Sequence, residues 1–406
     1  MAAVISAFMN TRTYPSKSLG VACSYEDSQP QKDWSASRRR RYSALLLIAI
    51  LCLTVHPTVE AQVLRLHALQ KVDDLFGYRL STLFKMPTGD IWAMIDTGSP
   101  STYFLWKDWY EEELVPGACR KPGVGCYTCP TPCPPLNPFW ITYHDGDRVR
   151  VFLYNGTVPL SSTNVRNLQF GLTCGQQPPP TVRQAESILG LGPRPATAGG
   201  IPILQQLVSR SPKVIGAKVF ALYLKRKPWA IDHFGELLLG GGDRRMYKDD
   251  LRYVRFTSLI EYIVRLESIQ TGEATWSLRE YVDLIIDTGA DTFYVGQRYY
   301  DTLIEGFKRE AAKSGVTLTW NDRLRRWTAN CTQREALPLV TYWLGTEKVP
   351  LNLTPRSYTR LSRGICYLNI APTRGSVWYL PGQALVGNYF EFRPDEGRIG
   401  FGETVA

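Results

Sequence analysis

The chain has 406 residues, 44% apolar and 21% charged, with a formal net charge of +10. That length exceeds one hydrophobic core and suits two, and the balance of apolar to charged residues excludes a disordered chain. Residues 1–61 carry seven Lys/Arg and four Asp/Glu, a net +3, which leaves +7 on the remainder. The basic clusters there, such as Lys225-Arg226-Lys227 and Arg244-Arg245, are scattered, which reads as a solvated surface and argues against a nucleic-acid site. Gly (33), Pro (27) and an aromatic share of 12% suit many short strands and turns, hence an all-β chain.

Taken in order, the N-terminus comes first. Arg38 to Arg41 form a basic block, residues 42–55 a short apolar run, and Val59-Glu60-Ala61 a small-residue cleavage site. This is the pattern of a secretory signal, placed on residues 1–61 with an extension of 37 residues ahead of the arginines. The run is shorter than the roughly 20 residues of a membrane span. A retained signal anchor is the alternative, and membrane contact is expected only in that case. Only residues 62–95 then lie between the expected cleavage point and Asp96, too few for a long inhibitory pro-segment.

Residues 63–66 and 78–84 read as strands, and Pro87-Thr88-Gly89-Asp90 as a turn. Residues 91–95 lead into Asp96-Thr97-Gly98, a tight turn at a strand end. A Cys- and Pro-rich stretch follows, with Cys119, Cys126, Cys129 and Cys133. Four thiolates could bind one Zn²⁺. A loop stapled by two disulfides is favoured in an oxidising compartment, and no metal site is assigned. Residues 140–151 place strand-forming residues on both sides of Asp145-Gly146, a β-hairpin signal. Ser187-Ile188-Leu189-Gly190 is a compact strand, residues 203–208 a first helix, and residues 219–224 and 235–240 a strand pair. Gly240 to Asp243 mark a boundary between a lobe of residues 62–243 and one of residues 244–406.

The second lobe repeats the theme. Residues 281–286 lead into Asp287-Thr288-Gly289, and residues 299–312 have helical character. Residues 340–344 and 349–353 are strands, Leu385-Val386-Gly387 echoes Ile188-Leu189-Gly190, and residues 398–401 form a last strand. One Asp-Thr-Gly turn is weak evidence, because Asp is a common turn residue. Two of them 191 positions apart suggest a duplicated lobe that brings Asp96 and Asp287 together. Beyond residue 61 there are seven cysteines, enough for three bridges and one remaining thiol. Asn155, Asn330 and Asn352 head Asn-X-Ser/Thr sequons, candidate glycan sites in a secreted chain.

With these pieces placed, the chain resembles the pepsin family of aspartic proteases over nearly all of residues 62–403. The resemblance implies a bilobal all-β fold, two β-barrel-like lobes with a cleft between them. It implies a cofactor-free monomeric enzyme that cuts peptides or proteins and is secreted or held in an endomembrane compartment such as a lysosome or vacuole. Asp96 and Asp287 are the implied catalytic pair, supported by Thr97, Gly98, Ser99, Thr288 and Gly289. Tyr143 resembles the flap tyrosine that closes over substrate, and Cys331 and Cys366 look like the disulfide of the second lobe. Two carboxylates within hydrogen-bond reach share one proton and so can act as base and acid on a water between them. The chain departs from the family pattern at Ala290, where a hydroxyl support of the second aspartate is missing, which is expected to raise the pKa of the pair. It departs also at Pro100, at Tyr103 in place of the tryptophan that bonds the flap tyrosine, and at His144 in place of the glycine beside it. A pepsin-like binding or inhibitor protein without activity is the alternative reading.

Overall fold

Thirteen strands form the largest sheet, which begins at Arg252–Arg255, runs through both chain halves and ends at Phe139–Thr142. A computed structural model describes residues 63–405 apart from 74–76, 182, 194–199, 226–231 and 363. The signal or anchor proposed for residues 1–61 lies outside these residues. Sheets of seven and four strands complete the β-structure of the described residues. The all-β reading holds.

Many predicted strands form where the sequence placed them. Phe220–Leu224 pairs antiparallel with His233–Leu239, setting Phe220 against Leu239. Val340–Leu344 pairs antiparallel with Val349–Leu353. The alternation of side chains explains the core: Leu64, Leu66 and Ala68 of Leu64–Asp73 are buried, whereas Arg65 and His67 between them are not. Helices are few. Ile203–Val208 and Gln297–Lys313 form where helices are expected, and Lys107–Glu113 is a further helix whose N-cap, Trp106, supplies no capping side chain to mark it in sequence.

The strand Asn388–Arg393 crosses from the C-terminal half to pair antiparallel with Phe220–Leu224. Phe220 stacks on Phe392 with ring centroids 4.4 Å apart, and both are fully buried. The Tyr262 hydroxyl donates to the Leu191 carbonyl at 2.9 Å. The two aspartate-bearing strands lie in different sheets, Gly89–Asp96 in the thirteen-stranded one and Ala274–Ile286 in the seven-stranded one, and one shared core fixes them in a common frame.

Candidate active site

Asp96 is the last residue of Gly89–Asp96, whose end runs parallel to Ser187–Gly190 and sets Asp96 level with Gly190. A Cβ at Gly190 would fall 2.4 Å from the Ser101 carbonyl oxygen, so the crossing requires glycine there. Asp287 follows Ala274–Ile286, whose last residues run parallel to Trp378–Leu380. Its N–H donates to the Leu380 carbonyl at 3.0 Å. Leu385-Val386-Gly387, which echoes Ile188-Leu189-Gly190 in sequence, is therefore not its counterpart in the fold. Gly382–Leu385 is a tight 3-10 turn, and Val386 and Gly387 instead meet Leu224 of the shared sheet. Pro381 after Tyr379-Leu380 hides the true repeat from a search for two apolar residues and a glycine.

The two Asp-Thr-Gly turns are bonded to each other with near two-fold symmetry. Thr97 N–H donates to Thr288 Oγ1 and Thr288 N–H to Thr97 Oγ1, both at 3.0 Å. Thr97 Oγ1 donates to the Ile286 carbonyl and Thr288 Oγ1 to the Ile95 carbonyl, both at 2.7 Å. Each hydroxyl thus accepts one bond and donates another, and no polar group of the cross-link is wasted. The cross-link draws the carboxylates within hydrogen-bond reach of each other. A Cβ at Gly98 would lie 2.6 Å from Asp287 Oδ1, and one at Gly289 would lie 2.6 Å from Asp96 Oδ1. Both glycines are needed for close approach, not for a left-handed turn.

Each Oδ1 accepts two backbone N–H bonds. Asp96 receives Gly98 at 2.8 Å and Ser99 at 3.1 Å; Asp287 receives Gly289 at 2.9 Å and Ala290 at 3.2 Å. Ser99 and Ala290 therefore contribute the same group. The hydroxyl by which Ser99 was expected to support Asp96 instead accepts from Ser101 N–H at 3.3 Å and lies within hydrogen-bond reach of Tyr143. The asymmetry of the pair arises elsewhere. Asp96 is 4% exposed, while Asp287 is half-buried toward the cleft. Burial raises both carboxyls above their ordinary range, and the charge of Asp287 raises Asp96 further. Two carboxyls this close resist being ionised together.

Tyr143 sits at the rising side of the hairpin Phe139–Thr142 and Arg148–Leu160. Its N–H donates to Asp147 at 2.8 Å, and Gly146 makes the turn at φ +92°. Its hydroxyl lies 2.7 Å from that of Tyr103, so a tyrosine does supply a polar partner in place of an indole. Burial and the nearby Asp96 raise the Tyr143 phenol, keeping it protonated and able to donate. Arg183 clamps the turn from the same side, reaching Asp145 at 2.9 Å and Asp147 at 2.5 Å. Across from the hairpin stand Glu261 and Tyr379, near His144, which the sequence did not single out. Glu261 carries no sequence signal, since only the tertiary fold brings it there. Tyr379 does carry a signal, since Trp378-Tyr379-Leu380 is the apolar run that pairs parallel with the strand leading to Asp287.

The remaining sequence candidates are placed as follows. Cys331 and Cys366 form a disulfide, and Cys119–Cys126 and Cys129–Cys133 are two more. The four loop sulfurs are thus consumed in pairs rather than gathered as metal ligands, and Cys174 is the free thiol among the described residues. Asn155, Asn330 and Asn352 are all exposed. Among the described residues no helix is long and apolar enough to cross a membrane.

Comparison with known proteins agrees with this geometry. The family described as eukaryotic aspartyl protease matches residues 91–404, a stretch containing both Asp-Thr-Gly turns. Similar curated proteins include mouse Renin-2, 26% identical over 65% of this chain, and chicken Cathepsin D, 28% identical over 63%. Human Cathepsin D is 28% identical over 54%. The matched stretches cover 64%, 63% and 52% of those relatives' own lengths, respectively. With a paired aspartate site at its centre and the family match spanning most of its length, the chain belongs to the eukaryotic aspartyl proteases.

Proposed function

We propose that this chain is a secreted aspartic endopeptidase in which Asp96 and Asp287 activate a water molecule for attack on a peptide bond. One observation carries the reading: a buried and a half-buried carboxyl within hydrogen-bond reach, each steadied by two backbone N–H groups and tied together by the crossed threonines. The ionised member takes a proton from water as its oxygen attacks the scissile carbonyl carbon. The protonated member gives its proton to the carbonyl oxygen, leaving a tetrahedral diol. A proton then passes to the amide nitrogen as the carbon–nitrogen bond breaks, and the pair returns to its singly protonated state. No covalent intermediate and no cofactor is needed. Tyr143 covers the reacting group, with Tyr103 fixing its hydroxyl.

Substrates on this reading are extended peptides with bulky apolar residues flanking the cut. The enzyme acts as a monomer of two lobes, residues 62–243 and 244–406, in an extracellular or endomembrane compartment. The three disulfides and the exposed sequons at Asn155, Asn330 and Asn352 support that compartment and glycosylation there. The test is cleavage of denatured globin from about pH 2 to 7 by full-length chain from a secreting host, with and without a statine-type transition-state analogue. Cleavage that the analogue blocks and that Asp96→Asn and Asp287→Asn each abolish is the expected result. Folded chain that cleaves nothing at any pH overturns it in favour of a pepsin-like binding protein.

A further inference from the structure

His144 stands beside Tyr143 at the turn of the hairpin, with its side chain 73% exposed. Its Nε2 lies 3.5 Å from Glu261 Oε1, and its ring meets Tyr379 edge-on with centroids 6.1 Å apart. Neither partner belongs to the N-terminal half of the chain. Glu261 lies in the loop before Ile263–Thr271, and Tyr379 lies in the strand that flanks Asp287. The hairpin therefore has two side-chain attachments. Arg183 holds Asp145 and Asp147 on its own side, and His144 reaches over the aspartates to the opposite wall.

We propose that His144 is a positioning residue that latches the flap shut across the cleft, on Glu261 and Tyr379. The proposal rests on the protease reading for its consequence in catalysis, but the latch itself is a property of the fold. The groups that face His144 are Tyr143, Asp145 and Asp147 from its own hairpin, Glu261 from the loop, and Tyr379 with Asp287 behind it. Asp145 and Asp147 are engaged by Arg183, which leaves Glu261 as the carboxylate in direct reach of the imidazole. Tyr379 joins the two ends of this wall: after burial, the charges of Asp287 and Glu261 are what raise its phenol. The Glu261 loop is itself anchored, since Tyr262 next to it bonds the Leu191 carbonyl at 2.9 Å. A latch fixed at both ends can restrain the hairpin between them.

Imidazole gains charge as pH falls, and histidine as a residue type changes charge between about pH 5 and 8. A protonated imidazole is drawn to the Glu261 carboxylate more strongly than a neutral one, so a positive charge at position 144 tightens the latch. A flap held by its own side chains also lowers the ordering cost that substrate must otherwise meet. The latch should thus show mainly in KM, with kcat nearly unchanged.

The experiment is hydrogen exchange of residues 139–150 in the full chain at pH 5 and pH 8, corrected for intrinsic rates, in wild type, Glu261→Gln and His144→Lys. In parallel, KM and kcat are measured on an internally quenched peptide with apolar residues at the cut. Wild type is expected to protect the hairpin more at pH 5 than at pH 8, and Glu261→Gln to remove that difference. His144→Lys, charged at both pH values, should protect the hairpin at both. KM of Glu261→Gln is expected to rise several-fold at pH 5 and to match wild type at pH 8, while His144→Lys loses the pH step in KM. Hairpin exchange that is the same in wild type and Glu261→Gln at pH 5 overturns the latch, whether or not the chain cleaves. Exchange that responds as described in a chain that neither cuts peptide nor binds the analogue upholds the latch and overturns the protease reading instead.

Discussion

At the scale of single residues, the site is built from groups that hold each other in place. Tyr103 and Tyr143 share one hydrogen bond of 2.7 Å, and Tyr103 is 2% exposed, so its hydroxyl has no water to fall back on. Tyr103→Phe removes one partner and leaves the other partly buried. It is expected to lower kcat/KM about 5- to 10-fold, roughly the 1 kcal/mol of one hydrogen bond, with little change in thermal stability. The aspartates make the opposite compromise. Burial raises the Asp96 carboxyl, so the folded chain holds this proton more tightly than the unfolded chain does. Stability from this source is therefore intact below the ordinary carboxylate range and falls as pH rises above it. Asp96→Asn removes that penalty. It should abolish cleavage yet raise the melting temperature at pH 7 by a few degrees, about 1 kcal/mol or more, with no gain near pH 3. Thermal melts at the two pH values check this, and an equal shift at both counts against a shared proton.

At the scale of elements, the flap hairpin depends on Arg183 as much as on its own turn. Without that guanidinium, Asp145 and Asp147 repel each other across the turn. Arg183→Ala is expected to raise KM about 3- to 10-fold near neutral pH, an effect that shrinks in acid as the carboxyls become neutral. Steady-state kinetics across pH would expose a wrong assignment as a KM effect of equal size at every pH. Elements are also where the limits of sequence reading lie. The Asp-Thr-Gly turns, the Asp145-Gly146 hairpin and the helix of Gln297–Lys313 were legible because local chemistry dictates them. The second crossing strand was not, since Leu385-Val386-Gly387 copies the pattern while Pro381 disguises Trp378–Leu380. The true choice is made by parallel pairing with residues far away in sequence. The same holds for Ser99, whose hydroxyl a sequence pattern assigns to Asp96 and the fold sends elsewhere.

At the scale of the whole molecule, the segment from Gly240 to Asp243 is tightly pinned. Asp243 pairs with Arg245 at 2.9 Å and also with Arg65 of the first strand, and these arginines hold its carboxyl well below the usual range. A depressed folded pKa means stabilisation that is present above the ordinary carboxylate range and lost as pH falls through the folded value. Asp243→Asn should therefore cost about 1–2 kcal/mol at pH 7, with wild type and variant converging in strong acid. Because one sheet passes through both halves, the loss is expected as a shift of a single calorimetric transition. Two separate transitions would show that the halves melt independently.

The crossed approach of the two turns has a consequence for inheritance. The atom that a side chain at Gly98 would strike belongs to Asp287, and the one that a side chain at Gly289 would strike belongs to Asp96. Each glycine thus guards the acid of the other half. In a library of random variants, positions 98 and 287 should behave as one locus, and positions 289 and 96 as another. An alanine at Gly98 is then a lesion in the opposite half of the molecule, nearly two hundred codons away, and no second change at Asp287 can relieve it without losing the acid itself.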